Sequence, residues 1–197
     1  VRRAAALAAF VIAAMALGRA ITDLVPTGAA VDTPFTVEGR VGEPVDASFA
    51  EVEVTKVAVT PTIMGNPATK AGGRWVVVDT RITALRQPTV LYGATLVDAS
   101  GTHHLASVRG ADCTENPRLP TGIPWTGSFC FDIERSALDG ARILFSRGAF
   151  GDNGDGYRRD SVADIHLGLE DPDALWEQTE AVNVAPAIVG TEQEDAR

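Results

Sequence analysis

The sequence predicts an all-β sandwich preceded by one N-terminal helix that is either a transmembrane anchor or a signal. Three observations predict it. Ala4 to Gly18 form an uncharged apolar run of 15 residues between Arg2-Arg3 and Arg19. From Phe35 the pattern changes to short β-branched runs broken by Gly, Pro, Asp and Asn, which is how a sandwich or barrel reads. Helical signals after that point are sparse. With 197 residues, 45% of them hydrophobic, the chain is long enough for one domain with a sizeable core plus appendages.

The N-terminal run has competing readings. A cleaved signal has a basic start, an apolar stretch of this length and a small-residue cleavage site. Gly18-Arg19-Ala20 and Thr27-Gly28-Ala29 are passable sites, although arginine is unusual there. A transmembrane anchor needs about 20 apolar residues. If Arg19 snorkels, Ala20, Ile21, Leu24 and Val25 extend the stretch to that length. Arg2-Arg3 then keeps the N-terminus inside. A buried soluble helix is the third reading. Both of the first two place residues 30 onward outside the cytoplasm, at the cell membrane or secreted.

The expected division is an anchor or signal over 1–25, linker and first strand over 26–40, the sandwich over 41–169, and an acidic helical turn and tail over 170–197. Expected strands are Phe35–Val41, Ala50–Thr60, Arg74–Leu85, Val90–Asp98, His103–Val108, Trp125–Ile133, Arg142–Ser146 and Ser161–Leu169. Alternation assigns their faces. Phe129, Phe131 and Ile133 share one face, which should be core, and Ser128, Cys130 and Asp132 share the other. Val76, Val78 and Ile82 oppose Asp79 and Arg81. Val52 and Val54 are out of phase with Val57 and Val59, which predicts a bulge or sheet change near Lys56. Glu134–Leu138 suits one helical turn. Asp171–Glu180 suits a short helix with Asp171 as N-cap and Pro172 at the first position.

Charge excludes some function classes. The formal net charge is -9, and the residues after position 30 carry 14 basic against 25 acidic side chains. Phosphate-backbone binding needs a basic face, so nucleic acid is not expected, and neither is adhesion to anionic lipid heads. The basic residues are 15 Arg and two Lys, Lys56 and Lys70.

Two cysteines in an exported chain suggest one disulfide, Cys113 to Cys130. A loop of that length gives roughly 3 kcal/mol of stabilisation. Since Cys130 is opposite Phe129 and Phe131, the bond is expected on the sheet's outer surface. There it would order the Pro-rich 114–124 loop and leave the core unstapled.

Several constellations suggest chemistry and fail on geometry. Gly151 to Gly156 read G-D-N-G-D-G, close to a calcium loop. Calcium needs roughly six to eight oxygens, with an acid closing the loop at position 12. Aligning Asn153, Asp155 and Gly156 puts Gly151 at position 1 and Val162 at position 12. Starting at Asp152 puts glycines at positions 3 and 5. The stretch suits a tight exposed turn. His103 and His104 are adjacent on a strand and face opposite ways, so they do not share an ion, and His166 could join only one of them. Asp164 and His166 share a face, but Ser161 is on the other and no G-x-S-x-G elbow exists. No catalytic, metal or cofactor residue is therefore expected.

From about Val41 to Leu169 the layout resembles the telokin-like, immunoglobulin-like domains of unknown function on membrane-anchored proteins of Gram-positive, actinobacterial type. It is also similar to secreted immunoglobulin-like antigens of mycobacteria. The resemblance is carried by V-G-E-P-V (Val41 to Val45), G-G-R-W-V-V-V-D-T-R-I-T (Gly72 to Thr83), L-V-D-A-S-G-T-H-H (Leu96 to His104), P-T-G-I-P-W-T-G-S-F-C-F-D-I (Pro120 to Ile133) and A-L-D-G-A-R-I-L-F (Ala137 to Phe145). It implies an immunoglobulin-like β-sandwich and an extracytoplasmic binding or assembly module with no catalytic residues. The chain departs from true immunoglobulin domains, whose cysteines are about 60 residues apart and bridge the sheets through the core.

The leading functional expectation is a non-enzymatic extracytoplasmic binding or accessory module meeting a cell-envelope protein or lipid. Its contact loops would be Cys113–Trp125 and Phe150–Asp160, with Trp125, Arg118, Tyr157 and Arg158 as contact residues. Trp75, Trp125 and Trp176 read first as structural anchors; a partner-facing aromatic is the alternative, because exposed tryptophan is favoured at interface hot spots, and Trp125, next to the disulfide-linked loop, is its leading candidate. Two alternatives stand beside it: a carrier of an apolar ligand between the sheets, and a weak metal-dependent enzyme or metal-binding protein using His104 and His166.

Overall fold

A computed structural model describes residues 2–24, 34–148 and 161–190, with side chains described for residues 10–23 of the first helix. The chain forms two compact units, Val1–Thr33 and Pro34–Arg197. In the first, helix α1 spans Arg2–Leu24. Its described side chains are all exposed, including Phe10, Ile12, Met15, Leu17 and Ile21. Arg19 and Asp23 pair across its last turn at 3.2 Å. Among the described residues no helix is long and apolar enough to cross a membrane, so the expected span gains no support on that criterion.

The second unit is mostly strand. In chain order the strands are β1 (Phe35–Arg40), β2 (Pro44–Asp46), β3 (Ala50–Ile63), β4 (Thr69–Ala84), β5 (Thr89–Val90), β6 (Thr95–Val97), β7 (His103–Leu105), β8 (Arg118–Leu119), β9 (Pro124–Ile133), β10 (Arg142–Phe145), β11 (Ser161–His166) and β12 (Ile188–Val189). One five-stranded sheet has the order β1-β11-β10-β6-β7, and the other β12-β9-β4-β3-β2. A two-stranded piece, β5-β8, stands apart. The first strand pairs parallel to β11, while the other ladders are antiparallel.

Alternation explains the core between the two sheets. On β4 and β9, Val76 faces Phe131, Val78 faces Phe129 and Ile82 faces Trp125, and all six are buried in the main cluster. Phe145 of β10 reaches across from the opposite sheet to Phe129, with ring centroids 5.6 Å apart. The expected bulge is present: the β3–β4 register shifts between Val54 and Lys56. Thr55 is the extra residue, so Val52 and Val54 before it and Val57 and Val59 after it all pack on one core.

The outer face of β4 and β9 is also covered. Trp75, Val77 and Cys130 form a second buried cluster with Ile63 and Val184. The C-terminal segment reaches it through Val182, whose N–H donates to Thr62 and whose carbonyl accepts from Met64. Thr60 donates its hydroxyl to the Glu180 carbonyl at 2.6 Å. Residues 170–190 are thus built into the sandwich, which also begins earlier than residue 41, at Pro34.

Other boundaries moved for local reasons. The expected strand Val90–Asp98 is two strands, β5 and β6, separated at 91–94. A Cβ on Gly93 would collide with Ser146 Oγ and the Gly148 carbonyl, so this glycine permits the close approach that breaks the strand. The strand β4 starts at Thr69, five residues before the expected start. The Asp132 carboxylate accepts from the Gly72 and Gly73 N–H groups and holds this glycine pair in the sheet. The helical turn after β9 is Arg135–Leu138. Helix α2 covers only Pro172–Trp176, capped by Asp171, whose side chain accepts from the Ala174 N–H at 3.0 Å.

Candidate functional site

Cys113 and Cys130 are bonded, with Cα atoms 5.7 Å apart. Cys130 is fully buried on the outer face of β9. The Ser107 N–H donates to the Cys130 carbonyl and the Thr114 N–H to the Ser128 carbonyl, so the bond holds residues 107–114 flat on that face. Arg109 locks the same stretch: its guanidinium pairs with Asp132 at 3.1 Å and lies over the Trp75 ring at 5.2 Å. The expectation that the whole 114–124 loop stays on the outer face needs correction. By Leu119 the chain has reached the main core, and the Pro117 carbonyl accepts from the Leu91 N–H.

Trp125 also needs correction. Its side chain is only 4% exposed and its ring lies 5.7 Å from that of Phe129. The reason is local: Gly127 stands two residues along the same strand face, and a Cβ there would lie 2.5 Å from the indole. The ring occupies the space this glycine leaves and faces the core, so it does not serve as an exposed contact. Tyr157 and Arg158, and the G-D-N-G-D-G stretch, lie outside the described residues.

The histidines stand apart. His104 Nε2 is 3.1 Å from Asp98 Oδ2. The other Asp98 oxygen accepts from the Ser100 hydroxyl and from the Ser100 and Thr102 N–H groups. These contacts, that of the Ser100 hydroxyl first and His104 next, hold the Asp98 carboxyl well below the usual carboxylate range. The cluster closes the tight turn between β6 and β7. His166 is exposed at the end of β11, and Asp164 on that strand is instead paired with Arg142 of β10. Among the described residues no group of three His, Cys, Asp or Glu side chains could hold a metal ion.

Arg118, by contrast, reaches solvent. It is exposed on β8 and lines an open cleft of about 670 Å3 together with Pro88, Val90, Tyr92, Leu119 and Arg147. That size is in the range of small-molecule sites, about 300–1,000 Å3. Pairing of Thr89 with Leu119 and of Val90 with Arg118 fixes one wall. Paired N–H···O bonds between Gly93 and Ser146 bring Arg147 alongside. A second cleft of about 250 Å3 shares Gln87, Thr89 and Arg147 and adds Phe49 and Arg86. The described lining of both clefts holds three arginines and no carboxylate. The sequence reading names Arg118 as a contact residue and does not name Arg86 or Arg147, which line the same pair of clefts. The available signal was an arginine near a proline in both R-Q-P-T-V (Arg86 to Val90) and R-L-P (Arg118 to Pro120).

No family model matches the chain, and no curated protein does either. Among solved structures it is similar to the crystal structure of the yjhA protein from Bacillus subtilis, with 15% identity and a TM-score of 0.49, covering 66% of this chain and 99% of that one.

Proposed function

We propose that this chain is a non-enzymatic, extracytoplasmic binding or accessory module of immunoglobulin-like, telokin-like type. Its N-terminal segment anchors it to the cell membrane or, if cleaved, releases it as a secreted protein. The cleft beside β5 and β8 is its contact surface. The observation that carries this reading is a pair of exposed arginines, Arg118 on that cleft and Arg86 on the one adjoining it, in a chain with 17 basic and 26 acidic residues. Exposed loops on a rigid sheet scaffold are where binding residues concentrate. Two observations support the location. A disulfide persists in oxidising compartments outside the cytoplasm. A helix whose described apolar side chains are all exposed needs a membrane or a partner to cover them.

A carrier role between the sheets is disfavoured by packing. Trp125, Phe129, Phe131, Phe145, Leu96 and Ile143 fill that space, and interiors packed this way leave no room for a ligand. Location is tested by fusing alkaline phosphatase or a cytoplasmic fluorescent protein to the C-terminus. Active phosphatase with a dark fluorophore supports export; the reverse pattern rejects it. The contact surface is tested by capturing partners from envelope extract with the full chain and with an Arg86→Gln/Arg118→Gln variant. Equal capture by both rejects the cleft.

A further inference from the structure

The cleft surface just proposed points to a ligand class. We infer that it is a recognition site for a small organic oxyanion, a phosphate or carboxylate head on an apolar body; this rests on reading the cleft as the contact surface. The head sits where the two adjoining clefts, one lined by Arg118 and the other by Arg86, meet, and the body lies against Pro88, Val90 and the Tyr92 ring.

Three features carry the inference. The first is charge. The chain as a whole is acidic, yet the described residues around both clefts include arginines and no Asp or Glu. Arginines lining a concave site focus potential toward anions. The second is availability. Arg19, Arg109, Arg135 and Arg142 each pair with a carboxylate. Arg86 and Arg118 are exposed, and neither forms an ion pair with another described residue. A guanidinium presents a planar fork that fits two oxygens of a phosphate or carboxylate, which a lysine does not. The third is shape. Pro88, Val90, Leu119 and Pro120 give the larger cleft an apolar wall, and Gln87 and Thr89 belong to both clefts. The larger cleft thus offers an arginine beside an apolar wall, with a second arginine at the adjoining cleft.

The test uses the full chain in detergent micelles, followed by amide NMR. The probes are inorganic phosphate, phenyl phosphate, benzoate and neutral benzyl alcohol. Expected are saturable shifts at Thr89, Val90 and Leu119 with phenyl phosphate or benzoate, weaker ones with inorganic phosphate, and about ten-fold weaker binding of the anion by Arg118→Gln or Arg86→Gln. Binding should also weaken as salt rises. Arg81→Gln, on an exposed arginine outside the cleft, should bind as the parent does. Phenyl phosphate binding without benzoate binding assigns the site to phosphates, and the reverse to carboxylates. Absent or non-saturable shifts, equal binding of benzyl alcohol, or equal affinity in the Arg→Gln variants overturns the inference. The envelope capture reads independently. Cleft-dependent capture without anion binding rejects the oxyanion and keeps the surface; anion binding with unchanged capture rejects the surface as the partner site.

Discussion

Replacing both cysteines with alanine should cost the protein about 3 kcal/mol without loosening its core. The bond closes a sequence separation of 17. The chain-entropy relation for a loop of that length gives about 3 kcal/mol at 25 °C, acting through the unfolded chain. Loss of the buried Cys130 sulfur adds a small cavity term, of order 1 kcal/mol at most. For a domain of this size the sum lowers Tm by roughly 6–15 °C. Urea unfolding followed by tryptophan fluorescence measures it, since Trp75 and Trp125 are both buried. Native-state hydrogen exchange then separates two mechanisms. The Ser107 and Thr114 amides, which bond to the Cys130 and Ser128 carbonyls, should lose protection, while the β4–β9 ladder keeps its own. A loss below about 1 kcal/mol would refute the entropic reasoning. Equal loss of protection in the β4–β9 ladder would show that the bond staples the core after all.

Trp125→Ala should destabilise by about 3–5 kcal/mol in urea titrations, because the ring fills core space over Gly127; unchanged stability would return Trp125 to the surface. Arg142→Ala leaves the buried Asp164 carboxylate without its ion-pair partner and should cost about 2 kcal/mol, reduced from the deeply buried case because Arg142 is partly exposed. Replacing both residues with apolar ones (Arg142→Met with Asp164→Leu) should recover part of that loss, measured in the same titrations. The Asp98 turn makes stability depend on acid. Folding depresses this carboxyl's pKa, so its contribution is complete above the unfolded value, about 4, and is lost as pH falls toward the depressed folded value. The stability gap between the parent and Asp98→Asn should shrink as pH falls below about 4; a gap that widens over that acid range contradicts this.

The sandwich was legible because period-2 burial is strong where one face is core. Val52, Val54, Val76, Val78, Phe129 and Phe131 stand on the side their alternation predicts, and the phase break at Thr55 is visible as two valine pairs out of step. Short strands were not legible. A two-residue pair such as β5–β8 or β12 has no periodicity to read, and its existence depends on Leu119 and Val184 finding distant partners. The cleft was half legible for the same reason. Arg118 could be named from its loop, but Arg86 and Arg147 come from two other connections, and only the pairing of β5 with β8 and of Gly93 with Ser146 joins them. A contact role for Trp125 rests in the sequence on its place beside the disulfide-linked loop, whereas its burial over Gly127, two residues along the same strand face, emerges only from packing.

The parallel pairing of β1 with β11 has a mechanical consequence. Six rungs, from Phe35 opposite Ser161 to Arg40 opposite His166, join the unit's first strand to a strand late in the sequence. A pull on the polypeptide from the N-terminal side of Phe35, directed along the strand, loads all six rungs together in shear. Peeling them one at a time would need a sideways force. The domain therefore resists traction along that axis better than across it.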